Sequence, residues 1–167
     1  IIEPILQAME KLSHPYIGFL YVGLMIKDNQ PYVIEFNVRM GDPETQVVLP
    51  LLKSSLFDLL MKASEGRIKD SDVIISSQYA LSVVLSAKGY PGIYEKGNVI
   101  KGLENSDKEL IFHAGTIRRN KKILTNGGRI LNVVGLGDTL NDAINSAYRV
   151  VKKVTYKNKY YRKDIGK

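Results

Sequence analysis

There is no cysteine among the 167 residues of the chain. Disulfides, thiolate metal sites and cysteine nucleophiles are therefore excluded, and a reducing cytoplasm is permitted. No apolar run approaches the roughly 20 residues that span a bilayer, and no signal peptide is evident. The expectation is a cytoplasmic protein with no membrane partner. Internal repeats and low-complexity tracts are missing too, and so is an initiator methionine. The chain opens Ile1-Ile2-Glu3-Pro4, which predicts a piece cut from something longer. What remains is ordinary: 44% apolar residues, enough for one domain or two small ones.

The net charge of +7 is unevenly spread. Residues 1–75 hold 7 Lys and Arg against 10 Asp and Glu, a net −3, whereas residues 76–167 hold 17 against 7, a net +10. That swing predicts a boundary near Ser71–Ser77 and a second part whose surface suits anions.

One stretch carries unusual chemistry: Glu35-Phe36-Asn37-Val38-Arg39-Met40-Gly41-Asp42-Pro43-Glu44-Thr45-Gln46. It continues the alternating run Tyr32–Phe36, so a strand would put Tyr32, Ile34, Phe36 and Val38 on one face, read as core. Val33, Glu35, Asn37 and Arg39 then share the other. Residues two apart on a strand have Cα atoms roughly 6–7 Å from each other, so the Glu35 and Asn37 side chains can converge on one cation. Hard oxygen donors suit Mg²⁺, which usually keeps a few protein oxygens plus substrate phosphates. Arg39, one step on, can grip a phosphate or carboxylate with a bidentate fork. Gly41 permits a turn, Asp42 can cap and Pro43 suits a first helical position, so a helix N-terminus is predicted beside that face. Taken alone, a Glu-x-Asn on a strand is more often solvated surface than a metal site.

This twelve-residue segment resembles the metal-site segment of the glycinamide ribonucleotide synthetase (phosphoribosylamine–glycine ligase) family, ATP-grasp enzymes of purine synthesis. Gly18–Met25 before it and Val47–Ser54 after it are similar as well. So are Gly89-Tyr90-Pro91-Gly92, Phe112-His113-Ala114-Gly115-Thr116 and Thr125-Asn126-Gly127-Gly128-Arg129. The likeness runs over nearly the whole chain and implies a carboxy-terminal portion of such an enzyme. The implied fold is α+β. Residues 1–75 would be the carboxy-terminal part of the ATP-grasp domain, antiparallel strands with helices, carrying the metal site. Residues 76–167 would be a small, mostly β domain with one helix.

The local patterns fill in that outline. Ile5–Leu12 reads as the end of a helix, stopped by His14-Pro15. Residues 19–27 and 31–38 read as a buried antiparallel hairpin turned by Lys27–Pro31. A short helical stretch follows Pro43 and is interrupted by Pro50. Ser55 and Asp58 form a capping box before Leu56, Leu59, Leu60 and Ala63, a packing face ended by Gly66. Tyr79–Ala87 alternates as a half-buried strand. Ile111–Ile117 reads as another, Arg118–Lys122 as a basic turn and Lys122–Leu124 as its return. Asn126-Gly127-Gly128 reads as a turn because glycine admits positive φ, with a strand over Arg129–Val134 after it. Thr139 and Asp142 open a last helix with Leu140, Ala143, Ile144, Ala147 and Val151 on one side and Lys152 and Lys153 at its negative end.

Plainer readings stand beside the functional ones. Arg39 and Asp42 could merely pair with each other, and Asn126–Arg129 could be only a turn. His14 reads as a loop residue, His113 as a satisfied structural histidine and Lys53 as an exposed lysine. The tail Lys152–Lys163 interleaves cations with tyrosines, as nucleic-acid binders do. Its end, Tyr161–Gly166, resembles the family's own terminus, so the expectation is an extended tail packed on the second part with its lysines in solvent.

The resemblance implies ATP-dependent ligation of glycine to 5-phosphoribosylamine, giving glycinamide ribonucleotide, ADP and phosphate. The expected partners are ATP, glycine, 5-phosphoribosylamine and the missing amino-terminal part, without nucleic acid. Glu35 and Asn37 would hold Mg²⁺ (or Mn²⁺), and with Arg39 they would bind ATP as co-substrate. Arg39 and Asp42 are the catalytic candidates. Arg39, Gly41, Asp42, Pro43, Gly127, Gly128 and Arg129 are the substrate-binding ones. The alternative, drawn from the charge, is a non-catalytic basic module that binds nucleic acid or another polyanion.

Overall fold

The structure, a computed structural model, describes residues 1–103 and 110–167. In chain order its elements are α1 (Ile2–Lys11), β1 (Tyr21–Lys27), β2 (Gln30–Asn37), α2 (Thr45–Leu51), α3 (Leu56–Ser64), β3 (Tyr79–Ala87), β4 (Leu110–His113), β5 (Thr116–Arg119), β6 (Lys122–Thr125), β7 (Arg129–Gly137), α4 (Leu140–Lys153) and β8 (Lys159–Tyr160). This is an α+β chain with antiparallel sheets. It forms two compact units, one of Ile1–Asp42 with Leu52–Ile75, the other of Pro43–Leu51 with Ser76–Lys167.

In the first unit β1 and β2 make the expected antiparallel hairpin. Asp28 and Asn29 both take positive φ, 51° and 59°, the two-residue turn whose twist matches the flanking strands. The expected burial is not there. Tyr32, Ile34, Phe36 and Val38, read as a core face, are 57%, 63%, 41% and 74% exposed, and Leu24, Met25 and Ile26 of β1 are exposed as well. Apolar residues on both faces mark a strand made for two covering layers, but a pattern cannot say that the same stretch of chain supplies them. Ser55 caps α3, its Oγ accepting from the Asp58 N–H at 3.3 Å, and Gly66 ends it with φ 66°. On the predicted packing face Leu59 is buried, Leu56 and Ala63 are half-buried, and Leu60 alone is exposed. Side-chain ties supplement this thin core. Lys62 Nζ donates to Asp72 Oδ1 at 2.5 Å and the Lys69 N–H to Asp72 Oδ2 at 2.9 Å. These bonds, Lys62 first, hold the Asp72 carboxyl below its ordinary range.

The second unit has a true core. Its sheet runs β4-β7-β3-β8, with β5-β6 as a separate hairpin. Leu81, Val83, Leu85 and Ala87 are buried on one side of β3, as the alternation predicts, and they meet Ala143, Ala147, Val150 and Val151 of α4. Leu140, placed on that helix's apolar side, is exposed instead. Thr139 caps α4 as expected, accepting from the Asp142 N–H at 3.1 Å and donating to Asp142 Oδ2 at 2.6 Å. The helix sits on bare backbone: a β-carbon on Gly135 would stand 2.2 Å from the Ala143 carbonyl. A register step leaves Ile130 out of the β3–β7 ladder, and both Ile130 and Leu131 are fully buried. Each side chain so buried contributes roughly 1.5–3 kcal/mol. Strand β7 is flanked by β3 and β4, so only its faces are open. Both α4 and α2 pack against it, α4 the more extensively.

Four expectations fail here for local reasons. Ile111–Ile117 is not one strand: β4 and β5 belong to different sheets, and the chain turns at Ala114-Gly115, where the Thr116 N–H donates to Ala114 O at 2.9 Å. Asn126-Gly127-Gly128 is not a hairpin turn but the link from β6 to β7 of another sheet, and neither glycine has positive φ. Pro50 does not interrupt its helix; it lies within the last turn of the seven-residue α2, which runs on to Leu51. The tail does pack back, through β8 on β3, but not all its lysines face solvent. Lys159 Nζ donates to the carbonyls of Val151 and Val154 at 2.8 and 2.6 Å, capping α4.

Candidate functional site

The unusual segment starts where β2 is irregular. Gly23 pairs with Glu35 and Leu24 with Val33, so Ile34 has no partner and the strand is bulged just before Glu35. Glu35 and Asn37 then lie on the same side. The Asn37 Nδ2 donates to Glu35 Oε1 at 2.9 Å, so the two side-chain tips meet, and a cation shared between them would need the amide turned to present its oxygen. Glu35 is exposed and Asn37 half-buried. The donor set is one carboxylate and one amide oxygen, hard ligands that would fill only part of an octahedral sphere and leave the rest to water and phosphate oxygens. Among the described residues no group of three or more His, Cys, Asp or Glu side chains is placed to hold a metal. The pair therefore fits Mg²⁺ or Mn²⁺ carried in with a phosphate ligand, and it does not fit a protein-only cage.

Arg39 follows the strand end. It is exposed, and its Nη1 donates to the Met40 carbonyl at 3.0 Å. Gly41 is buried and Asp42 exposed. The helix predicted to begin at Pro43 begins at Thr45. Asp42, Pro43 and Glu44 form a turn before it, and the Val47 and Val48 N–H groups donate to the Glu44 carbonyl at 3.0 Å. Asp42 is thus a turn residue and not the residue adjoining the helix.

In the second unit, Gly127, Gly128 and Arg129 serve close approach. A β-carbon on Gly115 would stand 2.6 Å from the Gly127 Cα, and one on Gly128 would stand 1.9 Å from Tyr90 Cδ2. Gly128 is buried and Arg129 exposed. His113 Nδ1 and Thr116 Oγ1 share a hydrogen bond of 2.9 Å, the satisfied arrangement expected of a structural histidine. His14 lies in a loop and Lys53 is exposed, both as read from the sequence. Sequence reasoning passed over Gly23, opposite Glu35, and the ring of Tyr90 over Gly128. Only the cross-strand register and the tertiary fold reveal either.

Residues 80–167 match the family model described as "Phosphoribosylglycinamide synthetase, C domain", and residues 1–45 match that of the same enzyme's ATP-grasp (A) domain. The chain belongs to the phosphoribosylglycinamide synthetase family. It is 42% identical over 166 residues to a phosphoribosylamine–glycine ligase of Caldanaerobacter subterraneus, covering 99% of this chain and 40% of that protein. The corresponding ligase of Fusobacterium nucleatum is 44% identical over 170 residues, with the same coverage. A crystal structure of the phosphoribosylamine–glycine ligase of Thermotoga maritima superposes with a TM-score of 0.83 and 41% identity, covering 95% of this chain and 39% of that one. The chain therefore spans about 40% of the length of these synthetases. No helix among the described residues is long and apolar enough to cross a membrane.

Proposed function

We propose that this chain is the carboxy-terminal portion of a cytoplasmic ligase that joins glycine to 5-phosphoribosylamine at the expense of ATP, giving glycinamide ribonucleotide, ADP and phosphate. Residues 1–75 would be the end of the ATP-grasp domain and residues 76–167 the small domain that follows. Two family matches flanking this division support that reading. The observation that carries the site is the 2.9 Å approach of Asn37 to Glu35 on one side of β2.

Glycine's carboxylate would attack the γ-phosphorus of ATP, and the amine of phosphoribosylamine would displace phosphate from the resulting glycyl phosphate. Such a reaction is mostly positioning and electrostatics. Glu35 and Asn37 would hold the divalent ion, Mg²⁺ or Mn²⁺, whose chemistry is to neutralise phosphate charge. Arg39, now turned to its neighbour's carbonyl, would swing to the transferring phosphoryl group and offset its charge. Gly41, Asp42 and Pro43 would orient substrate from the turn before α2. Gly127 and Gly128 would offer backbone N–H groups, and Arg129 its guanidinium, to the sugar phosphate. No nucleophilic side chain is required.

The exposed apolar faces of β1 and β2 favour a further partner, the amino-terminal part that the longer relatives carry. The 167 residues alone are expected to bind ATP weakly and to turn over nothing. Ligase assays of this chain with and without the longer amino-terminal portion test this, and turnover by the chain alone overturns it. Calorimetry with Mg·ATP on the completed enzyme tests the site. Glu35→Gln and Asn37→Ala are each expected to weaken binding on the order of tenfold or more.

A further inference from the structure

Glu35 is exposed, yet its side chain is steered. Across the hairpin from it stands Gly23, which is buried. A β-carbon on Gly23 would lie 3.1 Å from Glu35 Cγ and 3.6 Å from Tyr21 Cε1. The first distance is inside the roughly 3.5–4.0 Å at which two carbons rest. Gly23 has no positive φ, so the backbone does not demand glycine there. What the glycine provides is room. The second feature coincides with it: the register steps between Gly23 and Leu24, leaving Ile34 unpaired immediately before Glu35. A bulge of this kind bends its strand and re-aims the neighbouring side chains. Tyr21, the cross-strand partner of Asn37, closes the other side of the slot.

We propose that Gly23 and the bulge at Ile34 act together as a positioning device for Glu35. The empty place on β1 receives the Glu35 Cγ, so that the carboxylate turns along β2 toward Asn37. A side chain at position 23 would push Cγ out of the slot by a few tenths of an ångström and part the carboxylate from the amide. This inference rests on the reading of Glu35 and Asn37 as ligands of one divalent cation. A glycine present only for packing would, on replacement, change stability and leave cation binding alone.

The test is Mn²⁺ titration of the chain followed by site-resolved NMR, because paramagnetic broadening of the Asn37 side-chain amide reports weak binding without any turnover. Dispersed resonances for Gly23 and Asn37 in the wild type come first; without them the hairpin geometry is absent and the inference falls. In Gly23→Ala the Mn²⁺ concentration for half-broadening is expected to rise roughly tenfold, the size seen when a ligand loses its support. Met25→Ala, on the same strand but facing Tyr32, is expected to leave it unchanged. Should Gly23→Ala unfold the hairpin, Gly23→Ala combined with Glu35→Ala, which removes the Cγ that the methyl would meet, is expected to refold it. Failure of that pair to do so counts against the device. Broadening lost in Glu35→Gln but unaltered in Gly23→Ala overturns the role of Gly23. Broadening unaltered in Glu35→Gln overturns the ligand reading beneath it.

Discussion

The ring of Tyr90 occupies the space that any side chain on Gly128 would need, since a β-carbon there would stand 1.9 Å from Tyr90 Cδ2. Gly128 is therefore required by the fold, whatever its backbone does for a substrate. Gly128→Ala is expected to destabilise the second unit by about 1–3 kcal/mol in denaturant unfolding, the cost of overpacking a filled site. Arg129 is exposed and tells the two roles apart. In the completed enzyme Arg129→Gln is expected to raise KM for the phosphoribosyl substrate by about tenfold, worth roughly 1.4 kcal/mol. A normal KM in the Arg129→Gln enzyme would remove the sugar phosphate from this region.

Lys159 closes α4 from outside the helix, with Nζ on the Val151 and Val154 carbonyls. Burial lowers its pKa below the usual 10.5. The folded state thus releases the proton before the unfolded state does, and this group's contribution to stability rises with pH in the window just below 10.5. Lys159→Met keeps the apolar stem and loses both bonds. It is expected to cost about 1–3 kcal/mol by thermal unfolding and to flatten that rise.

Tyr156 acts in the opposite sense. Its hydroxyl donates to the Ser86 carbonyl at 2.9 Å, and burial raises its pKa well above the ordinary 10.0. Above about pH 10 the unfolded chain ionises this phenol while the folded chain keeps it neutral. Stability is therefore lost as pH rises, approaching about 1.4 kcal/mol per pH unit from this group. Tyr156→Phe is expected to lose the one hydrogen bond at neutral pH and to abolish that alkaline slope. A Tyr156→Phe variant that kept the wild-type slope would assign it elsewhere.

The side-chain oxygens of Ser82 and Asn132 are buried in the second unit with no hydrogen-bond partner. An unpaired buried hydroxyl is a cost, so removing it should help. Ser82→Ala is expected to stabilise by up to about 1 kcal/mol in denaturant unfolding. Destabilisation would mean that the hydroxyl is satisfied in solution.

What could be read in advance depended on whether the cause was local. The caps at Ser55 and Thr139 and the alternation of Tyr79–Ala87 are written within a few residues, and the structure shows each of them. The bulges at Ile34 and Ile130 are not, because a bulge is a property of two paired strands. Gly127 and Gly128 carried a turn signature for a different reason, the approach of Gly115 and Tyr90 from elsewhere in the chain. Among the interleaved cations of the tail, nothing in the order of residues marks Lys159 as the one that turns inward. At the candidate site the residue types and their spacing were legible. The room that Gly23 leaves for Glu35, and the turn that separates Asp42 from α2, had to be seen in three dimensions.

The chain changes unit three times, after Asp42, Leu51 and Ile75, because α2 belongs with the strands that come after it. Limited proteolysis should register that threading. A nick in the bond between Ile75 and Ser76 would leave α2 on the leading fragment while β3 and β7, which it packs against, remain on the trailing one. The two fragments are expected to co-elute from a sizing column until denaturant strips the helix away, although no peptide bond any longer joins them.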